Sequence, residues 1–281
     1  MTQVVRVLTI NTGKCDGAYT ARLAWLVEEV RRLQPDIVLC QEAFQDLGRQ
    51  RDTAGALARR LRMDLAWAPA RFKERCCEGE MVLGWSGMAM LSIQPWSHTE
   101  TIVLPTLAQD GDRVAQIGTI DLPGQQLVVA NVHLTYLRGE DELRREELQT
   151  VLDHPLLRDN SAMRLICGDF NTTLSGPVLA PLLGEGPVGS LRDAFSLAGA
   201  PLPRTTLAPR EDGVSPPVCI DHILSLARNA SDQPLLTSSS IVLDRPDPES
   251  GSYPSDHFGV ATTLMRVPVG QLLRKRMRHE E

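Results

Sequence analysis

The feature that most constrains this chain is a recurring one. Short β-branched apolar runs stop abruptly at a polar side chain, and amphipathic stretches separate several of them. Runs this short are strand-length, and the stretches between them carry helical spacing. Val4–Ile10, Ile37–Cys40, Met88–Ser92, Val114–Asp121, Leu127–His133, Leu165–Asp169, Cys219–Leu226 and Val260–Met265 read as strands. Ala18–Leu33 reads as a helix, because Leu23, Leu26, Val27, Val30 and Leu33 fall on one face. Pro35 and Asp36 stop it. Thr53–Arg62 and Asp141–Leu152 are further helices, and residues 66–86, 95–112, 201–218 and 228–257 read as long irregular segments. The pattern predicts an α/β (α+β) domain over residues 1–268, with two sheets packed together and helices outside. Residues 269–281 form a tail that is basic and then acidic.

Composition narrows the function. With 42 % apolar and 23 % charged residues the chain is of ordinary globular type, which excludes collagen-like and wholly disordered proteins. Its net charge of −6 argues against binding that rests on blanketing nucleic acid with Lys and Arg. A local phosphate site remains compatible with that charge. Of the 29 basic side chains only Lys14, Lys73 and Lys275 are lysines. Gly13-Lys14 is not a phosphate loop, since Cys15 replaces the Ser/Thr and Leu8 the first Gly.

No apolar run of membrane-spanning length occurs, and Met1 leads into a strand rather than a signal-type segment. Six cysteines are too few for a disulfide framework. The expectation is therefore a reduced, cytoplasmic protein. Cys40 and Cys167 read as small buried hydrophobes, and Cys76-Cys77 as surface-loop thiols.

The chemistry lies in the polar residues at the strand ends. Asn11, Gln41-Glu42, His133, Asp169 and Asn171 follow apolar runs, while Asp221-His222 and Asp256-His257 precede them. Each alone has a structural explanation, such as Asn11 capping a turn. Together they make a set that rigid strands could preorganise. Glu42, Asp169, Asp256, Asn11 and Asn171 are all oxygen donors, which implies a hard ion, Mg²⁺ or Mn²⁺. The histidines lack zinc spacing, and Gly84-Trp85-Ser86-Gly87 is not a nucleophile elbow. Histidine, carboxylate and a hard metal suit attack of water on a phosphorus ester.

These residues fall in motifs that resemble the endonuclease/exonuclease/phosphatase superfamily: Leu8–Asn11, Pro35–Glu42, Asn131–Leu134, Gly168–Asn171, Ile220–Ile223 and Ser255–Val260. They occur in that family's order. The resemblance implies a four-layer sandwich of two mainly antiparallel sheets flanked by helices, with the site at one edge. It implies Glu42 as principal metal ligand, supported by Asn11 and Asp256. His257 is the implied base, oriented by Asp221. Asp169 and Asn171 would hold the attacking water and a phosphate oxygen, and His133 would donate to the phosphate or the leaving oxygen. Base duty is open between His257 and Asp169. His133 resembles the residue of deoxyribonucleases, neutral sphingomyelinases and inositol-polyphosphate phosphatases, whereas abasic-site endonucleases have Tyr there.

The expected activity is Mg²⁺-dependent phosphodiester hydrolysis of a small or lipid-derived substrate. A DNA or RNA nuclease is the alternative, and a catalytically dead scaffold a third, opposed by intact motif positions. No protein partner is implied. Arg71, Lys73 and Arg75 could contact phosphate, but Glu74, Glu78 and Glu80 lie among and beside them and they read as a solvated loop; Arg274–Arg278 could touch an anionic membrane or RNA but reads as a solvated tail. Trp67, Trp85 and Trp96 fall in the long loops, where they line a cleft or anchor the loops.

Overall fold

The structure, a computed structural model, describes residues 3–159, 161–184, 190–210, 213–227 and 235–266. The tail at 269–281 lies outside these residues. The strands in chain order are β1 (Gln3–Asn11), β2 (Ile37–Asp46), β3 (Asp64–Cys77), β4 (Glu80–Ser92), β5 (His98–Val103) and β6 (Val114–Leu122). They continue as β7 (Gln125–His133), β8 (Met163–Asp169), β9 (Ser190–Asp193), β10 (Asp221–Ala227), β11 (Leu235–Val242) and β12 (Gly259–Arg266). The longer helices are α1 (Tyr19–Leu33), α2 (Thr53–Leu61) and α3 (Asp141–Leu152).

The strands form two six-stranded sheets, ordered β11-β12-β1-β2-β4-β3 and β5-β6-β7-β8-β10-β9. Each sheet is antiparallel except for one central pair, β1 with β2 and β7 with β8. A parallel pair needs a crossover, and α1 and α3 supply the two. The local reasons are visible in the sequence. Gln34 takes a left-handed conformation (φ 50°) after α1, just before Pro35. Asp52 caps α2 by accepting from the Gly55 N–H at 2.8 Å.

Strand periodicity divides the core into three apolar layers. Val5, Val7, Ile37, Leu39, Leu127, Val129, Leu165, Cys167 and Ile223 meet between the sheets. Leu8, Ile10, Val38 and Cys40 face Leu26, Val30 and Leu57 of the helices outside the first sheet. Val128, Ala130, Val132 and Ile166 face Leu148 and Val151 of α3 outside the second. Each such aliphatic side chain contributes roughly 1.5–3 kcal/mol on burial. Helix, sheet, sheet, helix is the expected four-layer arrangement.

Several expectations need correction. Residues 66–86 are not irregular; they form most of the β3–β4 hairpin. Part of 95–112 is β5, and part of 228–257 is β11. Trp67 and Trp85 accordingly lie on strands, and only Trp96 lies in a connection, against Gly118. Cys77 is fully buried beside Cys15, Tyr19 and Phe44, so only Cys76 is a surface thiol. Cys40 and Cys167 are buried, and all six cysteines are free. Among the described residues no helix is long and apolar enough to cross a membrane.

Candidate active site

On the inter-sheet face the apolar core turns polar toward one end of the strands. The residues that continue the Val5-Val7 register are Thr9 and Asn11, and Gln41 continues that of Ile37-Leu39. Asn131 and His133, Asp169, and Asp221 do the same on the second sheet. A buried polar layer comes first. Gln41 Nε2 donates to Asn131 Oδ1 at 2.7 Å and to Thr9 Oγ1 at 3.0 Å. Asn131 Nδ2 donates to the carbonyls of Cys40 at 3.1 Å and Ala89 at 3.2 Å. This layer ties the two sheets together beneath the site, with Gln41 Oε1 left buried without a partner.

Above it the predicted residues converge. His133 and Asp169 are neighbours in the parallel β7–β8 register, and Asp169 stands opposite Asp221 in the antiparallel β8–β10 register. Gly168 makes this possible. It has φ +138°, and a Cβ there would run into the Val132 carbonyl. Asn11 Nδ2 donates to Asp169 Oδ2 at 3.0 Å, while Asp169 Oδ1 accepts from the Asn171 N–H at 2.9 Å. His257 Nδ1 lies 2.9 Å from Asp221 Oδ2, and its Nε2 lies 4.0 Å from Asp169 Oδ2. His133 Nε2 is 3.6 Å from the same oxygen. His222, next to Asp221, faces away and meets the Thr172 carbonyl at 3.0 Å.

The remaining oxygen donors gather at the end of β1. Ser255 Oγ donates to the Asn11 carbonyl at 2.6 Å and contacts Asp256 Oδ1 at 3.1 Å. Gly13, at φ +63°, packs so closely that a Cβ would sit 2.7 Å from Asp256 Oδ1. Glu42 occupies an irregularity in the β2–β4 pairing with φ +52°. Its carboxylate meets Lys14 Nζ at 2.7 Å.

Electrostatics separate the groups. Burial, then the Asp221 charge, raise the Asp169 pKa well above the usual carboxylate range, against the pull of His257 and Asn11. Burial opposes a charge on His257, but Asp221, with Asp169 and Asp256, outweighs it and raises the pKa to about 10. Burial and the positive charges of Arg113, Lys14 and His257 push His133 the other way, so it is neutral.

Donor chemistry fits a hard cation. Asp169, Asp221 and His257 offer ligand atoms all within 4.8 Å of one another, and Asp221 Oδ1 is buried without a hydrogen-bond partner. Glu42 has drawn a cation to itself already, in Lys14. The oxygen-rich set is of the kind magnesium or manganese takes.

The open space in front of these residues is about 380 Å³. Asn11, Glu42, His133, Asp169, Asn171, Asp256 and His257 all line it, whereas Asp221 stands behind His257. Of the other lining residues, Arg113 and Asp110 escaped the sequence reading. Arg113 is buried, pairs with Asp110 at 2.6 Å, reaches the His133 carbonyl at 3.4 Å and lies under the Tyr136 ring at 5.5 Å. The opposite wall is β3. Arg71, Lys73 and Arg75 are not a solvated loop but alternate residues of this strand that line the pocket. A period of two in the charges was the signal available for them.

Comparison with known proteins gives the family and the fold. Residues 8–257 match the Endonuclease/Exonuclease/phosphatase family. No curated protein matches the chain in sequence. Among solved structures, an endonuclease/exonuclease/phosphatase family protein from Leptotrichia buccalis superposes with a TM-score of 0.71 at 18 % identity, covering 92 % of this chain and 99 % of its own. TDP2 from D. rerio, complexed with single strand DNA product, gives 0.68 at 18 % identity, covering 94 % and 100 %. The human Nocturnin catalytic domain with bound sulfate anion gives 0.67 at 22 % identity, covering 93 % of each. The family match spans nearly the whole chain, motifs and strand-end cluster together: this protein belongs to the endonuclease/exonuclease/phosphatase family and shares its metal-dependent phosphoesterase chemistry.

Proposed function

We propose that the protein is a Mg²⁺-dependent phosphodiesterase, with Mn²⁺ as a substitute ion. The observation that carries this is the Asp221–His257–Asp169 array facing oxygen donors from β1, β2 and the turn before β12. Glu42, with Asn11 and Asp256, would hold the cation. When bound, the cation neutralises phosphoryl oxygens, and its charge opposes the protonation of His257 that Asp221 favours.

Asp221 fixes Nδ1 of His257, which leaves Nε2 as the atom that accepts a proton from water. Asp169 holds the water from the other side, and Asn171 orients Asp169 through its backbone N–H. One amide N–H of Asn171 is spent on the Leu134 carbonyl at 3.0 Å, and the residue lines the pocket, where its remaining polar atoms would hold a phosphate oxygen. His133, neutral, donates a hydrogen bond to the phosphate or the leaving oxygen. Burial and the Asp221 charge raise the Asp169 pKa, and its Oδ2 lies 4.0 Å from His257 Nε2, so base duty is open between the two groups.

The His133 motif favours diesters of small or lipid-derived alcohols. Nucleic acid is the second reading, favoured by the cationic β3 wall and by the DNA product in the D. rerio TDP2 structure. The free thiols fit a reducing, cytoplasmic compartment.

Hydrolysis of bis(p-nitrophenyl) phosphate with Mg²⁺, Mn²⁺ or EDTA tests the proposal. Metal-dependent turnover that His257→Ala abolishes supports it. Absence of both turnover and metal binding, in a folded protein, returns the chain to the dead-scaffold reading.

A further inference from the structure

The three cations of β3 differ from most of the paired basic residues elsewhere. Arg31 pairs with Glu28, Arg51 with Glu80, Arg113 with Asp110 and Arg144 with Asp141. Among the described residues Arg71, Lys73 and Arg75 form no ion pair within 4.0 Å. Their partners across the hairpin are Ser86, Gly84 and Val82, none of them acidic. Glu74 lies on the other face of the strand, where Phe72 stacks on Trp85 at 4.5 Å. Arg75 Nε is buried with no hydrogen-bond partner. Arg75, burial and Arg71 all lower the Lys73 pKa, and Lys14 adds to this, so these cations repel one another.

Residues two apart on a strand repeat every 6.6 Å or so, so the row extends for about 13 Å. Its Arg71 end touches Gly111, in the segment whose Arg113 supports His133. Its Arg75 end feels the charge of Glu42. The row therefore runs along the whole pocket, from the histidine side to the metal side. Like charges held this way repel one another, Glu42 and Asp16 offset them only from the Arg75 end, and an anion of matching extent relieves the repulsion.

We propose that Arg71, Lys73 and Arg75 form a subsite for a further phosphate of the substrate, so that the enzyme selects phosphodiesters carrying at least one additional phosphate over singly charged ones. This rests on the phosphodiesterase reading. The shared chemistry is a phosphorylated diester, whether a nucleotide chain or a phosphorylated polyol headgroup supplies it.

The test uses two matched chromogenic diesters, the p-nitrophenyl ester of thymidine 5′-phosphate with and without a 3′-phosphate. Wild type, Lys73→Gln and Arg71→Gln/Lys73→Gln are compared in kcat/KM, after thermal melts establish that each is folded. Charge-assisted contacts to phosphate predict a preference of about tenfold or more for the 3′-phosphorylated ester, falling to about twofold in the double variant. Raising the salt should shrink the wild-type preference as well. A wild-type preference near one, or one that survives in the double variant, overturns the subsite.

Binding separates this from failure of the phosphodiesterase reading. If neither ester turns over with any metal, titration with thymidine bisphosphate and monophosphate still reads the subsite. A tenfold margin lost in the double variant supports it, and equal affinity overturns it. Competition by inositol trisphosphate against bound thymidine bisphosphate then tells the sources apart: displacement shows that a phosphorylated polyol also fits the subsite, and no displacement assigns the second phosphate to a nucleotide.

Discussion

The two sheets are built on one plan and used differently. Each has a central parallel pair joined by a helix, β1-α1-β2 in the first and β7-α3-β8 in the second, with antiparallel strands on both sides. Beyond the central pair the first sheet continues into the β3–β4 hairpin, with strands of 14 and 13 residues. The second continues into β10 and β9, of 7 and 4 residues. The short pair keeps its charges inside. Asp221 is spent on His257, and Asp193 caps the turn after it by accepting from Phe195 N–H at 3.0 Å. The long pair reaches past the core, and its cations meet the pocket unpaired. A charge buried in a packed sheet end must find a protein partner, whereas one on a projecting hairpin is free for a ligand.

Breaking the closed half should have the largest effect. His257→Ala is expected to lower diester turnover by about 10³-fold, and Asp221→Asn by about 10²-fold, in steady-state kinetics with saturating metal. An Asp221 variant as active as wild type would remove the couple from the mechanism. Gly168→Ala should cost roughly 3 kcal/mol or more of stability in denaturant melts, because the new Cβ meets the Val132 carbonyl. An unchanged melt would mean that β7 and β8 can separate locally.

The segment that follows β7 offers a test by pH. Glu147 of α3 is buried, accepts from the Thr135 N–H at 2.8 Å and leaves its second oxygen without a partner. Burial raises its pKa from 4.5 to about 7. A carboxyl raised on folding binds its proton more tightly in the native state. Stability is therefore highest below pH 4.5 with respect to this group, falls as pH rises, and has lost its share above about 7. The loss is on the order of 3 kcal/mol. Glu147→Gln should flatten that part of the stability–pH curve, and a curve equal to wild type would exclude the titration.

The metal side sharpens the comparison through ion binding rather than turnover, and its smallest effect is at Lys14. Glu42→Gln should weaken Mn²⁺ binding by about 100-fold or more in calorimetric titration. Lys14→Met should act in the opposite sense and tighten it severalfold, since the ammonium competes for the same carboxylate. Weaker metal binding in Lys14→Met would show that this lysine assists the ion.

Much of the core frame was legible. Val4–Ile10, Leu127–His133 and Leu165–Asp169 lie close to the observed strands because buried strands carry apolar runs that solvent does not interrupt. Asn11, His133, Asp169 and His257 stood out because a polar residue at the end of such a run contrasts with it. The β3–β4 hairpin was obscured for the opposite reason. Arg71-Phe72-Lys73-Glu74-Arg75 has polar side chains on both faces, so no apolar period marks it as a strand.

The sequence by itself determined the layers, the strand ends and the kinds of atoms at the site, because burial and periodicity act on neighbours along the chain. Only the tertiary structure decided that Lys14 faces Glu42, that Arg113 props His133, and that Arg71, Lys73 and Arg75 of a hairpin line one pocket with Glu42, Asp169 and Asp256. Those pairings join segments brought together by register between strands. Register depends on the whole sheet, and no single segment encodes it.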